Sequence, residues 1–268
     1  MTGLVRAGRH SVVQSATLRP VAFDAPWAWL AAGWRDLWAA PVISFSYGAV
    51  FAGFAALLTV GLFRVGLEAL ILPLSGGFLL IGPVVAVGLY ETSRRLEIGE
   101  PTRLIDITRA ALGRASRMSF FAAMLAFIYI VWLQLAFLLF MLFVGTNQFP
   151  PAKDFIPTLL FTPHGLALFV AGTCVGGALA LVVFSISAVS VPLLMVRKVD
   201  AVTAVATSVA AVVTNAKPML LWGALIAGFM ALGLATLFVG LVVVFPLIGY
   251  ATWHAFRDLV RDETTDYL

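Results

Sequence analysis

The chain reads as an all-α polytopic membrane helix bundle of six transmembrane helices. Two patterns carry that reading: five long stretches without charge, and the placement of basic residues between them. Residues 37–63, 69–90, 118–152, 155–196 and 218–256 contain no Asp, Glu, Lys or Arg, giving runs of 27, 22, 35, 42 and 39 residues. A helix needs ~20 apolar residues to cross ~30 Å of hydrocarbon. Composition agrees, because only 11% of the 268 residues are charged, against about 25% in an ordinary soluble domain.

The basic residues set the orientation. Of 17, all but Arg64 and Lys153 lie before the first run, between the second and third, between the fourth and fifth, or after the last. Short loops rich in Lys and Arg stay cytoplasmic, so both termini are expected in the cytoplasm and the number of spans is even. Spans are expected near 42–63, 70–92, 119–144 and 165–194. As one helix, the 39-residue run at 218–256 would be ~58 Å long, nearly twice the hydrocarbon thickness. It is therefore expected to fold back as 218–235 and 240–256, around a turn near Ala235–Gly240. The six-span domain covers 26–262. Residues 1–25 and 263–268 are read as cytoplasmic tails, and the first lacks the apolar segment and cleavage site of a signal peptide.

The stretch from Gly145 to His164 differs in character. Gly145, Asn147, Pro150, Pro151, Pro157 and Pro163 interrupt helix, whereas Phe155, Ile156, Leu159, Leu160 and Phe161 supply an apolar face. It is expected on the outer surface, as a short re-entrant or interfacial segment.

The two ends of the chain resemble one another. GPVVAVGLYETSR from Gly82 and FPLIGYATWHAFR from Phe245 both place an aromatic seven residues after Pro (Tyr90, Trp253). A titratable residue follows at eight (Glu91, His254) and an arginine at eleven (Arg94, Arg257). Val191-Pro192, closed by Arg197 and Lys198, is a weaker version. Short amphipathic segments at 27–40, 102–117 and 201–216 precede the first, third and fifth spans. The repeating unit is thus an interfacial helix plus a membrane hairpin, three times over.

GPVVAVGLYETSRRLEIGEP and the closing ATWHAFRDLV resemble a family of predicted bacterial integral membrane proteins of unknown function. The family's patterns are close to GPxxAxGLYExSRRxExG and GHATWHxYR, and the likeness covers residues ~25–262. Gly249-Tyr250 stands where the pattern has Gly-His, and Phe256 replaces its second tyrosine. More distantly, the repeated hairpin is similar to the membrane domains attached to bacterial glycerophosphodiesterases. The resemblance implies a multi-pass protein of the bacterial cytoplasmic (inner) membrane and implies no activity.

Residue chemistry points away from catalysis and coupled transport. An intramembrane ionisable group would be a functional candidate, but Glu91 and His254 fall near expected cytoplasmic helix ends, and Gln134 is the only amide well inside a span. The hydroxyls of Ser44, Ser46, Thr59, Thr173, Ser185, Ser187 and Ser190 are expected to bond back to the preceding turn. His10, His164 and His254 are too few and too scattered for haem or a metal, and Cys174 stands alone, so no cofactor is expected. The net charge of +4 sits at span ends rather than on a basic face, which argues against nucleic acid. Trp27, Trp29, Trp34, Trp38, Trp222 and Trp253 are expected as an inner aromatic belt. Gly172, Gly176, Ala224 and Gly228 bring small residues onto helix faces and are the expected sites of close helix packing.

The pair singled out is Glu91 with His254, equivalent in the two repeats and expected to meet beneath the headgroups with Arg94 and Arg257 at the rim. The expected function is a non-catalytic accessory or scaffold component of a membrane complex, partnered by the lipid bilayer and by another membrane protein or itself. The alternative is a small carrier or lipid-handling protein.

Overall fold

Prolines and single-residue corners set where most helices of this chain begin. The structure, a computed structural model, describes residues 17–67, 70–145 and 152–261. Among the described residues a short helix is followed, after one residue, by a long one at Ala40, Arg114, Thr162 and Asn215. Helix α1 (Ala25–Ala39) turns at Ala40 into α2 (Pro41–Arg64). Pro26 and Pro41 stand in the first turns, where a missing N–H costs nothing. Helix α3 (Ile71–Val85) returns and, past a break at Ala86, continues as α4 (Val87–Glu97). Pro83 lies in the last turn of α3 and cannot donate to the ladder, which locates the break.

The second set begins with α5 (Leu104–Gly113), turning at Arg114 into α6 (Ala115–Val144). Helix α7 (Ala152–Phe161) then packs against α8 (Pro163–Ser187), and α9 (Ser190–Val196) follows a break at Ala188–Val189. Thr162 caps α8 by accepting the Gly165 N–H at 3.0 Å. Part of the expected outer segment is therefore a helix, while residues 146–151 lie outside the described ones. The third set is α10 (Ala201–Thr214), the corner Asn215, α11 (Ala216–Ala235) and α12 (Leu241–Leu259). The uncharged run at 218–256 is thus two helices. Thr236 organises the turn between them, donating to Gly233 O and accepting from Gly240 N, both at 2.9 Å.

Four of these helical segments are long and apolar enough to cross a membrane: Pro41–Arg64, Met118–Val144, Pro163–Val196 and Ala216–Ala235. The only sheet among the described residues is a two-residue antiparallel pairing of β1 (Thr17–Leu18) with β2 (Val260–Arg261). Arg19 N extends it to Leu259 O at 3.0 Å. Val21 N donates to Asn215 Oδ1 at 2.9 Å, and Asn215 Nδ2 donates to Arg19 O at 3.0 Å. Residues 17–25, expected as part of a tail, therefore belong to the fold. The tail read at 263–268 lies outside the described residues.

The core sits at one end. Helices α4, α9 and α12 touch each other pairwise, and residues 87–93 of α4 and 190–195 of α9 are all buried. The buried residues of α2 fall between Ile43 and Ala55, and those of α6 are Met118, Phe121 and Leu125. Beyond these, both helices expose Leu57, Val60 and Phe63, or Phe127, Ile130 and Leu142. The buried residues of α2 and α6 are thus gathered at the end that carries the corners, while α3, α6 and α8 stay packed together beyond it.

Helix α12 is the axis of the gathered end, against which α1 and α2 make the most extensive contacts in the molecule. Glycine permits this. A Cβ at Gly33 would stand 2.7 Å from the Ala251 nitrogen, and one at Gly48 would collide with the Val242 carbonyl. Phe51 stacks on Phe245 just beyond, centroids 3.7 Å apart. The small residues singled out in the sequence fare differently. A Cβ at Gly176 would stand 2.8 Å from the Trp132 ring, whereas one at Gly172 or Gly228 would meet nothing, and Ala224 and Gly228 are exposed. Close packing runs through Gly33 and Gly48 because these, unlike Gly228, face a neighbouring backbone.

A direct comparison follows. In detergent-solubilised protein, Gly48→Ala is expected to lose about 1–3 kcal/mol through overpacking, whereas Gly228→Ala stays within about 0.5 kcal/mol. Thermal unfolding of the two variants measures the difference, and equal losses would contradict the α2–α12 contact.

Candidate functional site

The polar side chains of the gathered end form a layer of contacts between helix ends that the breaks and corners bring together. Glu91 is its most buried charge. In the first half of α4 it is 0% exposed, and α4 supplies its own partners one turn on. Arg94 Nε and Nη2 donate to the two carboxylate oxygens at 2.9 Å each, and Arg95 Nε donates at 2.9 Å. Arg114, the α5–α6 corner, adds Nη1 at 3.1 Å from another part of the chain. Glu100 lies 3.7 Å from both Arg94 and Arg95. Burial alone would push the Glu91 carboxyl up; the hydrogen bonds from Arg94 and Arg95 and the Arg114 charge outweigh it and hold the group below its ordinary value of 4.5.

Asp36 of α1 joins three helices. Its Oδ2 accepts from Ser93 Oγ of α4 at 2.6 Å and meets His254 Nε2 of α12 at 2.8 Å. Glu97 closes α4 onto α12, accepting from Trp253 Nε1 at 3.1 Å and from Arg257 Nε at 3.0 Å. Trp29 Nε1 of α1 donates to Asp258 Oδ2 at 3.0 Å. Deeper in the bundle, the Ser44 and Tyr250 hydroxyls bond at 2.8 Å, joining the first turn of α2 to α12. At the third seam, the Val189 N–H between α8 and α9 donates to Ser208 Oγ of α10 at 3.1 Å. On the rim, exposed Asp200 caps α10. Its carboxyl is held below the usual carboxylate range by the Thr203 hydroxyl and amide, at 2.7 and 2.9 Å.

Glu91 and His254, expected to pair, are each committed elsewhere. Their helices do meet, since α4 packs on α12 with Leu89 against Gly249. The faces differ, however: Glu91 reaches the arginines and Arg114, and His254 reaches Asp36. Arg94 serves Glu91, while Arg257 serves Glu97. The sequence reading passed over Asp36, Ser93, Glu97, Arg114, Tyr250 and Asn215. Their signal was weak but present: Asp36 and Arg114 lie close before uncharged runs, where a charge has to be settled at a helix end. The aromatic belt also divides. Trp27, Trp34 and Trp38 are exposed, whereas Trp29, Trp222 and Trp253 are 3%, 1% and 1% exposed, with Trp29 edge-on to Trp222 at 5.8 Å.

The polar contacts described here run from helix to helix. A Ser–His–Asp relay needs the hydroxyl bonded to the imidazole. Here Ser93 and His254 both bond the same Asp36 oxygen, so the carboxylate stands between them. Among the described residues, no three His, Cys, Asp or Glu side chains are grouped to hold a metal ion. Ser44, Ser185, Ser187 and Ser190 return their hydroxyls to carbonyls one turn back.

Residues 71–196, from α3 to the end of α9, match the model of a family described as predicted integral membrane protein (DUF2189). The matched stretch contains Glu91, Arg94, Arg95 and Arg114, and leaves out α1 and α12. No curated protein and no solved structure matches the chain. The four candidate spans and this likeness make the chain an integral membrane protein.

The partners of Glu91 are separable by double-mutant cycles on detergent-solubilised stability. Glu91→Gln leaves three guanidinium groups without their carboxylate and is expected to cost about 2–4 kcal/mol. Its effect couples to that of Arg114→Gln by more than about 0.5 kcal/mol and adds to that of His254→Gln. Because the Glu91 carboxyl is depressed on folding, its contribution is complete above its unfolded value of 4.5 and lost as pH falls through the lower folded one. Acid unfolding profiles should therefore converge for wild type and Glu91→Gln only below pH 4.5. Convergence at pH 6 would contradict the cluster.

Proposed function

We propose that the protein is a non-catalytic scaffold or accessory subunit of a membrane complex, crossing the bacterial inner membrane six times with both termini in the cytoplasm. One observation carries the non-catalytic reading. Among the described residues, no buried side-chain nitrogen or oxygen lacks a hydrogen-bond partner. A catalytic or transport site keeps groups available to substrate; this polar layer spends its groups on joining helices. Glu91, Asp36 and Glu97 each tie at least two segments together, which gives a rigid inner platform.

The six crossings are supported by which ends share that layer. The starts of α2 and α6, with α1 and α10 that lead into spans, lie beside α4, the α8–α9 break and α12, tied by Asp36–Ser93, Glu91–Arg114, Val189–Ser208 and Ser44–Tyr250. Each long helix that leaves the layer is followed by one that returns: α2 by α3, α6 by α8, α11 by α12. Three out-and-back pairs make six crossings and follow the threefold repeat of short helix plus hairpin. At 19 residues, α12 is about 28 Å long, enough to cross. The face rich in Lys and Arg is the cytoplasmic one by the positive-inside rule. The exposed stripe of α6, with Phe127, Ile130, Phe137 and Leu142, offers a flank to a partner helix.

Purification in a mild detergent is expected to recover a stoichiometric membrane-protein partner; repeated recovery of a lone monomer would overturn the scaffold reading. Topology is tested in a Cys174→Ala background. A cysteine at Leu237 should label from outside intact cells and one at Thr102 should not. The reverse pattern would overturn the orientation.

A further inference from the structure

Helix α6 has two faces. On one, Met118, Phe121 and Leu125 are buried, and Trp132 packs against α3 and α8. On the other, Phe120, Ala123, Phe127, Ile130, Gln134 and Phe137 are all exposed, at alternating intervals of three and four residues. That is a repeat of about 3.5 residues, the spacing that keeps one seam of a helix turned toward a partner helix along its length. In the most apolar stretch of the span Met118–Val144 no residue is buried, whereas each of the other three candidate spans buries part of its own.

Gln134 distinguishes this face from a surface made only to meet lipid. At 1.5 Å per residue it lies about 24 Å from one end of the span and about 15 Å from the other, too deep for its side chain to reach the interface. Gln134 is exposed, and its side chain bonds no group among the described residues. An amide left unpaired in hydrocarbon is unfavourable, and a hydrogen bond to a second helix removes that penalty. We infer that the protein self-associates through this face of α6, the Gln134 side chains of two copies bonding to each other.

Three properties select a second copy as the occupant. Copies inserted in one membrane run the same way, so their α6 helices are parallel and the two Gln134 side chains stand at the same depth. An amide is donor and acceptor at once, which makes it its own complement across a twofold axis. The stripe carries no charge, so no like charges oppose one another when it meets itself. Its apolar residues are solvated by lipid and favour no particular register; one amide at a seam position fixes the register, as a polar residue does in a coiled coil.

The inference names the partner that the scaffold reading leaves open and rests on the membrane placement proposed there; the test separates the two. Membranes from bacterial cells expressing the full chain are oxidised with copper phenanthroline without prior detergent. Ile130→Cys in a Cys174→Ala background reports on the stripe. The unaltered chain, whose exposed Cys174 lies on α8, reports on chance collision. Disulfide-linked dimer several-fold above the Cys174 level is expected for Ile130→Cys, falling to that level when Gln134→Leu is added. Gln134→Leu exchanges an exposed amide for an apolar side chain of similar size, and Gln134→Met serves if that variant fails to insert. Equal cross-linking at the two positions, or cross-linking that survives the loss of the amide, overturns self-association through Gln134. If a different membrane protein then co-purifies stoichiometrically, the scaffold reading stands without it; a lone monomer that does not cross-link overturns both.

Discussion

In a bilayer, apolar side chains gain little by leaving lipid for protein, because the tails are as apolar as leucine. Helices are then held by close backbone approach and by polar contacts. Helix α12 has both. Gly33 and Gly48 let α1 and α2 come within van der Waals reach of its backbone. Tyr250, Trp253, His254 and Arg257 then reach hydrogen-bond partners on α2, α4 and α1. Remove that approach and these polar pairs lose their geometry together, which is why so much of the structure depends on it.

The same constraint accounts for the one-sided core. Charged and strongly polar groups are tolerated only where water or a counter-charge is at hand, so the ion pairs collect at the helix ends. There the helices must converge to satisfy them. The other halves carry mostly apolar side chains, which lipid solvates as well as protein does, so little draws α2 onto α3, while α3, α6 and α8 pack together around Trp132, whose Nε1 donates to Pro73 O at 2.7 Å.

Within the polar layer the carboxylates divide by burial. Glu91 is sealed in and needs guanidinium groups on several sides; a buried unpaired carboxylate would be strongly destabilising. Asp36 and Glu97 are less enclosed and bridge with one cation or imidazole each plus a neutral donor. Contacts of this second kind orient helices more than they stabilise them. The triple-arginine arrangement is therefore the anchor of the α4–α5 seam, and the Asp36 bridge fixes the rotation of α1 against α12.

The residue pattern alone determined the helical class, the membrane as solvent, the break in the 218–256 run and the short helix before each long one. All of these follow from local quantities: charge-free length, helix rise per residue and the position of proline. Glu91, Arg94, His254 and Arg257 stand at run boundaries, and all four make polar contacts in the structure. Tertiary structure decided the pairing. Repeat equivalence placed Glu91 and His254 at matching positions, but partner choice depends on rotation about the helix axis, at about 100° per residue. That rotation is set by Gly33 and Gly48 and by which face of α12 they admit. Likewise, sequence spacing made Gly172, Ala224 and Gly228 look like packing sites, yet a small residue brings helices close only where a neighbouring helix faces it. Which glycine meets a backbone, which tryptophan is core and which is belt, and which arginine crosses to Glu91 are consequences of how the described helices pack. No local spacing encodes them, because each depends on residues hundreds of positions apart or on the far side of a corner.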